Sequence, residues 1–170
     1  YTQLSAQLFE DITDQSGTAV YRPEYSFFGA GATMADYDQD GYIDIFVSTP
    51  SGDGLKVFHN LGDETFEDVA DEIGLGDEDN ESINILVADY DNDGHEDIFV
   101  VNWQGYSNLY NNDGDNTYSL VTIAAGMDVY FESSRAACWV DYDRDGDLDL
   151  YMVNRLLEEL NILYRNNGDG

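Results

Sequence analysis

The stretch Asp89-Tyr90-Asp91-Asn92-Asp93-Gly94-His95-Glu96-Asp97, DYDNDGHED, places five acids in nine residues around one glycine. A solvated loop is the ordinary fate of such a run, because like charges repel and favour water. This one has two siblings, DYDQDGYID at 36–44 and DYDRDGDLD at 141–149. Asp36 and Asp89 are 53 positions apart, and Asp89 and Asp141 are 52 apart, so the stretch marks an internal repeat.

The repeat extends well beyond the acids. Each acidic loop is preceded by an apolar run, GATMADY at 31–37, NILVADY at 84–90 and AACWVDY at 136–142. Each is followed by IDIFVS, EDIFVVN or LDLYMVN, and then by LKVFHN, NLYNN or ILYRNN. Turns with Gly62, Gly114 and Gly168 in register come next, and the first two lead into TFEDVA and TYSLVT. Short runs rich in Val, Ile, Phe and Tyr, separated by Gly, Asp and Asn, predict a four-stranded antiparallel meander per unit. A sheet repeated at this period predicts an all-β fold of β-propeller blades. No unit carries a sustained 3.6-residue apolar period; RLLEELNIL at 155–163 is the one helix-like stretch, in the connection that lengthens the third unit.

In this frame residues 1–17 are the end of a preceding blade, 18–70 the first unit, 71–122 the second and 123–170 an incomplete third. LFEDIT at 8–13 matches TFEDVA, so the chain is expected to open on the last strand of an earlier unit. Closed propellers hold about four to eight blades, so flanking sequence is expected to complete the ring, with mutual completion by copies of the chain as the alternative.

The 36 acidic against 6 basic residues, a formal charge of −30, repel nucleic acid and anionic membranes and attract cations. No apolar run approaches the roughly 18 residues that suggest a membrane-spanning helix. Cys138 is the only cysteine; its run AACWV suggests a buried, inert thiol. Trp139, in the same run, is expected in the core, and Trp103 in a connection where it could meet a ligand.

Alternate acids in a tight loop supply the oxygen ligands that Ca²⁺ prefers, six to eight of them in flexible geometry. The expected side-chain ligands are Asp36, Asp38, Asp40 and Asp44, then Asp89, Asp91, Asp93 and Asp97, then Asp141, Asp143, Asp145 and Asp149. The carbonyls of Tyr42, His95 and Asp147 are expected between them, giving about three Ca²⁺ sites. Gly41 permits the sharp turn. An EF-hand also opens D-x-D-x-D-G but requires a carboxylate at position 12, where this chain has Val47, Val100 and Met152. Glu96 is expected to face outward. Mg²⁺ demands a stricter geometry.

The D-x-D-x-D-G-x-x-D loop between strands, preceded by SFFGAGATMADYD and followed by LYRNNGDG-type turns and EIGL or AAGM, resembles the FG-GAP/VCBS repeat family, which includes the integrin α N-terminal propeller. The resemblance covers nearly the whole chain and implies a seven-bladed Ca²⁺-binding propeller, usually extracellular or at the cell surface. Phe28, Gly29 and Gly31 carry the FG-GAP-like signature in the first unit only, which favours the bacterial-type VCBS branch.

The expected function is an adhesion or protein/glycan-binding scaffold whose blades Ca²⁺ stabilises, with no nucleic-acid partner and no membrane insertion. A self-assembling filament or surface-layer subunit, associating through incomplete blade edges, is the alternative. Catalysis is not expected: the patterned acids are assigned to the metal, and His59 and His95 form no recognisable triad, nor is there a nucleophile elbow, zinc motif or phosphate loop.

Overall fold

The computed structural model describes residues 9–20, 31–49, 54–76, 81–103, 105–127, 134–155 and 160–168. These form three antiparallel sheets. The first contains β1 (Ala32–Ala35), β2 (Asp44–Val47), β3 (Lys56–Asn60) and β4 (Phe66–Asp68) in sequential order. The second contains β5 (Ser82–Ala88), β6 (Asp97–Asn102), β7 (Asn108–Asn112) and β8 (Tyr118–Leu120), again in order. The third contains β9 (Ser134–Val140), β10 (Asp149–Asn154) and β11 (Ile162–Tyr164).

Each acidic nonapeptide joins the first strand of a sheet to the second, so the chain is all-β with its loops where the repeat placed them. The helix-like run divides: Ile162–Tyr164 is strand, and 156–159 lie outside the described residues. The LFEDIT segment is not strand over its described part. It leads instead into a single helical turn, α1 (Thr13–Ser16), closed by Gly17 in the left-handed region. No described third strand lies beside it to supply the pairing that Phe66–Asp68 receives from β3.

Stacking of the sheets explains their burial patterns. β1 lies against β5, and β5 against β9, so the first strands of successive sheets are neighbours, as in consecutive propeller blades. All six residues of β6 are buried because this strand has a sheet on each side. Its alternate residues Ile98 and Val100 join Phe46, Val57, Ile73 and Leu75 in the core between the first two sheets. Phe99 and Val101 join Leu109, Leu150 and Met152 between the second and third. Each such side chain contributes about 1.5–3 kcal/mol on burial. In β2 only Asp44 and Phe46 are buried, since no described sheet covers its other face.

Cys138 departs from expectation in being exposed, on a β9 with no described sheet beyond it. Trp139 is half-buried, stacked on Tyr90 at 6.1 Å and edge-on to Phe99. Trp103 is half-buried beneath Arg135, whose guanidinium carbon is 3.6 Å from the ring centroid.

Candidate metal centre

Within each loop the backbone is wound by its own carboxylates. The residue at position 4 adopts a left-handed conformation, with φ of 59° at Gln39, 61° at Asn92 and 67° at Arg144, and the glycine at position 6 follows at 93°, 92° and 101°. Position 1 accepts the glycine N–H in the first two loops, Gly41 N to Asp36 Oδ2 and Gly94 N to Asp89 Oδ2, both at 3.0 Å. In the third loop Asp141 accepts from Arg144 N instead, at 2.7 Å. Position 5 accepts from the amide of position 7: Tyr42 N to Asp40 and His95 N to Asp93 at 2.8 Å, and Asp147 N to Asp145 at 3.1 Å.

Position 9 is the fixed point. Asp44, Asp97 and Asp149 are 0%, 0% and 1% exposed. One oxygen of each accepts the N–H of position 2, from Tyr37 at 3.3 Å, Tyr90 at 3.1 Å and Tyr142 at 3.1 Å. The other accepts the N–H of an asparagine at or just beyond the end of the third strand, from Asn60 and Asn112 at 2.8 Å and Asn166 at 2.9 Å. The carboxylate therefore pins the loop to the next hairpin of the same sheet.

Position 9 also faces two other acids. Ligand atoms of Asp36, Asp38 and Asp44 all lie within 4.8 Å of one another, as do those of Asp89, Asp91 and Asp97 and those of Asp141, Asp143 and Asp149. Positions 1, 3 and 9 are thus brought together in every loop. Position 5 joins such a group only in the first, where Asp38 and Asp40 meet His59. His59 Nδ1 is also 3.2 Å from Asp44 Oδ1 and 3.6 Å from Asp38 Oδ2. The side chains at position 7 lie over the turn glycine: a Cβ at Gly62 would fall 2.6 Å from the Tyr42 ring, and one at Gly114 would fall 3.3 Å from the His95 imidazole.

Burial, and after it mutual repulsion, shapes the electrostatics of the loops. Burial pushes the Asp97 carboxyl up to about 7, even though two backbone N–H groups favour its ionised form. Asp44 and Asp91 are raised by burial in the same way. Tyr37 and Tyr90 are pushed up to about 12, first by burial and then by the adjacent carboxylates. The all-oxygen donor set suits a hard cation, and Asp36 Oδ1 is buried with no partner among the described residues. The residues present fit Ca²⁺.

Glu96 is not the outward-facing residue expected. It is half-buried, and its carboxyl is raised by burial and then by Asp36 and Asp89. Its carbonyl accepts from Asn112 Nδ2 at 3.4 Å and from the Tyr118 hydroxyl at 3.1 Å.

Adjacent loops are tied across sheets. Gln39 Nε2 donates to the Gly94 carbonyl at 2.7 Å, and Asn92 Nδ2 to Asp147 Oδ1 at 2.9 Å. In the opposite direction Asn112 Nδ2 reaches the Tyr37 carbonyl at 3.4 Å, and Asn166 Nδ2 the Tyr90 carbonyl at 2.8 Å. The signal for these asparagines in the sequence is their fixed spacing before the turn glycines, in NLG, NDG and NNG.

This loop, repeated between the first and second strands of stacked sheets, is what the family comparison matches. The model of the FG-GAP-like repeat aligns with residues 36–100 and again with 89–152, each running from the first acid of one loop into the second strand of the next sheet. The chain belongs to the FG-GAP-like repeat family. This FG-GAP-like chain is 28% identical over 147 residues to cartilage acidic protein 1 of Homo sapiens, and 26% identical over 145 residues to that of Mus musculus. Each alignment covers 85% of this chain but only 21% and 22% of the relative, so the chain spans about a fifth of their length. Neither comparison bears on the bacterial-type branch.

Proposed function

We propose that this FG-GAP-like chain is part of a Ca²⁺-stabilised, extracellular β-propeller, seven-bladed when whole, that serves as an adhesion or protein/glycan-binding scaffold rather than as an enzyme. The observation that carries the metal reading is the meeting of positions 1, 3 and 9 within 4.8 Å in all three loops. Asp36, Asp38, Asp40 and Asp44, with the Tyr42 carbonyl, would hold one ion. Asp89, Asp91, Asp93 and Asp97 with the His95 carbonyl, and Asp141, Asp143, Asp145 and Asp149 with the Asp147 carbonyl, would hold the others. The bound cation supplies positive charge that turns mutual repulsion into ligation, so that binding free energy becomes folding free energy.

The extracellular setting is supported by the relatives, whose name places them in cartilage and calls them acidic, and by millimolar extracellular Ca²⁺, which suits modest-affinity sites. Three ions would bring the formal charge from −30 only to −24, leaving an acidic surface that favours cationic partners and solubility.

Thermal unfolding in EGTA and in millimolar Ca²⁺ tests the reading. A site at a hundred times its Kd adds about 2.7 kcal/mol, so the transition should rise by many degrees with Ca²⁺. Coincident transitions would remove the structural role for the metal.

A further inference from the structure

Beside its three acidic loops the repeat places three different side chains. The pairing of β2 with β3 runs Phe46 to Val57 and Ile45 to Phe58, so one step further it sets His59 opposite Asp44. The same step beyond the Ile98–Tyr110 and Leu150–Tyr164 pairs sets Asn111 opposite Asp97 and Arg165 opposite Asp149. The Asn111 side chain is engaged elsewhere, its Oδ1 accepting from the Tyr90 hydroxyl at 3.1 Å and its Nδ2 donating to the Asn112 carbonyl at 3.0 Å. Arg165 donates to Asn167, and a guanidinium has no lone pair to give a metal. Only the first loop is thus offered a ring nitrogen.

That nitrogen is aimed at the acids. His59 Nδ1 lies 3.2 Å from Asp44 Oδ1 and 3.6 Å from Asp38 Oδ2, and the ligand atoms of His59, Asp38 and Asp40 all fall within 4.8 Å of one another. Among the described residues no other loop brings position 5 or an imidazole into such a group. The cluster is sheltered, with the side chains of His59, Asp38 and Asp44 being 21%, 13% and 0% exposed. Tyr37 holds the ring from one side, edge-on at 6.0 Å between centroids. Asp36, whose Oδ1 is buried with no hydrogen-bond partner among the described residues, adjoins the cluster through Asp38 and Asp44.

We propose that the first loop, unlike its siblings, is a site for Zn²⁺, held by His59 Nδ1 and the carboxylates of Asp38 and Asp40, and that zinc displaces Ca²⁺ there. Zinc donors at about 2.0–2.2 Å in a tetrahedron stand about 3.3–3.6 Å apart, which matches the spacing from His59 Nδ1 to Asp38. Asp44 Oδ1, 3.2 Å from the same nitrogen, is within reach of the fourth position. Spacing alone does not choose the metal, because Ca²⁺ at about 2.3–2.6 Å sets its oxygens about as far apart. The nitrogen chooses: imidazole suits zinc, whereas Ca²⁺ takes oxygen. The second and third loops have oxygen alone and keep Ca²⁺. The shared Asp38 makes occupation exclusive, so the first loop holds Ca²⁺ when no zinc is present and exchanges it when zinc arrives. Zinc here presupposes that the loops are metal sites, as proposed above, but not that Ca²⁺ fills the other two.

Calorimetric titration of the 170-residue chain with Zn²⁺, alone and in millimolar Ca²⁺, tests this alongside native mass spectrometry and NMR of the two histidine rings. One tight zinc per chain is expected, with one Ca²⁺ lost as it binds, and the ring nitrogens of His59 should shift while those of His95 do not. His59→Asn installs the residue that the second sheet carries at this place, so the fold should survive it. That variant should bind zinc at least tenfold more weakly, since even a ligand's supporting partner is worth roughly 10–100-fold, and should keep its full Ca²⁺ complement. His95→Tyr, which copies the first loop at position 7, should leave zinc uptake unchanged. A chain that takes one zinc through His59 but no Ca²⁺ would support this site while overturning the calcium reading. Zinc uptake indifferent to His59→Asn, a Ca²⁺ count unmoved by zinc, or no tight zinc at all would overturn the zinc site and leave the calcium reading standing.

Discussion

Asp44, Asp97 and Asp149 are buried acids with two backbone N–H groups apiece, and removing one strands both donors in the interior. Asp97→Ala should therefore cost about 2–5 kcal/mol, from unmet donors at ~1–3 kcal/mol each. Chemical denaturation without metal checks this, and a loss below half a kcal/mol would deny the hub role. The turn glycines give a second test at this scale. Gly62 and Gly41 both have positive φ, but a Cβ at Gly62 would strike the Tyr42 ring while one at Gly41 meets nothing within 4 Å. Gly62→Ala should thus destabilise more than Gly41→Ala, by about 1–2 kcal/mol beyond the shared cost of left-handed strain. Equal losses would mean that the ring moves aside freely.

The loop as an element is most sensitive to pH through Asp97. Its carboxyl is raised to about 7 in the folded chain, against roughly 4 when unfolded, so its ionised form is the costlier one to bury. From this group the metal-free chain loses stability as pH rises from about 4 to about 7 and regains it as pH falls. Asp97→Asn cannot titrate and should flatten that slope, so that its loss of stability, greatest near pH 4, shrinks as pH rises through about 7; an unchanged slope would assign it to other groups. The loops and the strands beside them were legible in the sequence because acids at positions 1, 3, 5 and 9 and a period near 52 survive without tertiary context. Positions 1, 3 and 9 meet as spacing suggested, whereas position 5 is engaged by the amide at position 7. The inward turn of Glu96 was not legible, because it depends on packing of the second sheet against the first, which buries its carboxyl near Asp36. His59 was equally opaque: its place beside Asp38 and Asp44 follows from pairing of β3 with β2, while its siblings in register are Asn111 and Arg165. Exposure of Cys138 reflects what does or does not cover β9, which an apolar run alone cannot reveal.

At the scale of the molecule, the cores between sheets and the ties between loops run in parallel. The Asn112 side chain bonds its own sheet at the Glu96 carbonyl and the neighbouring sheet at the Tyr37 carbonyl. Asn112→Ala should cost about 1–3 kcal/mol and lower cooperativity of unfolding, read as a smaller denaturant m-value, because it frees one sheet from the next. An unaltered m-value would place the coupling in the apolar core alone. The organising claim is that each acidic loop holds one Ca²⁺ and that the three are equivalent by repetition. Native mass spectrometry of the chain and of Asp38→Ala, Asp91→Ala and Asp143→Ala variants in Ca²⁺ tests it most directly. Three bound ions are expected in the parent, one for each loop, and one fewer in each variant. A parent that binds none, or variants that retain the full complement, would contradict it.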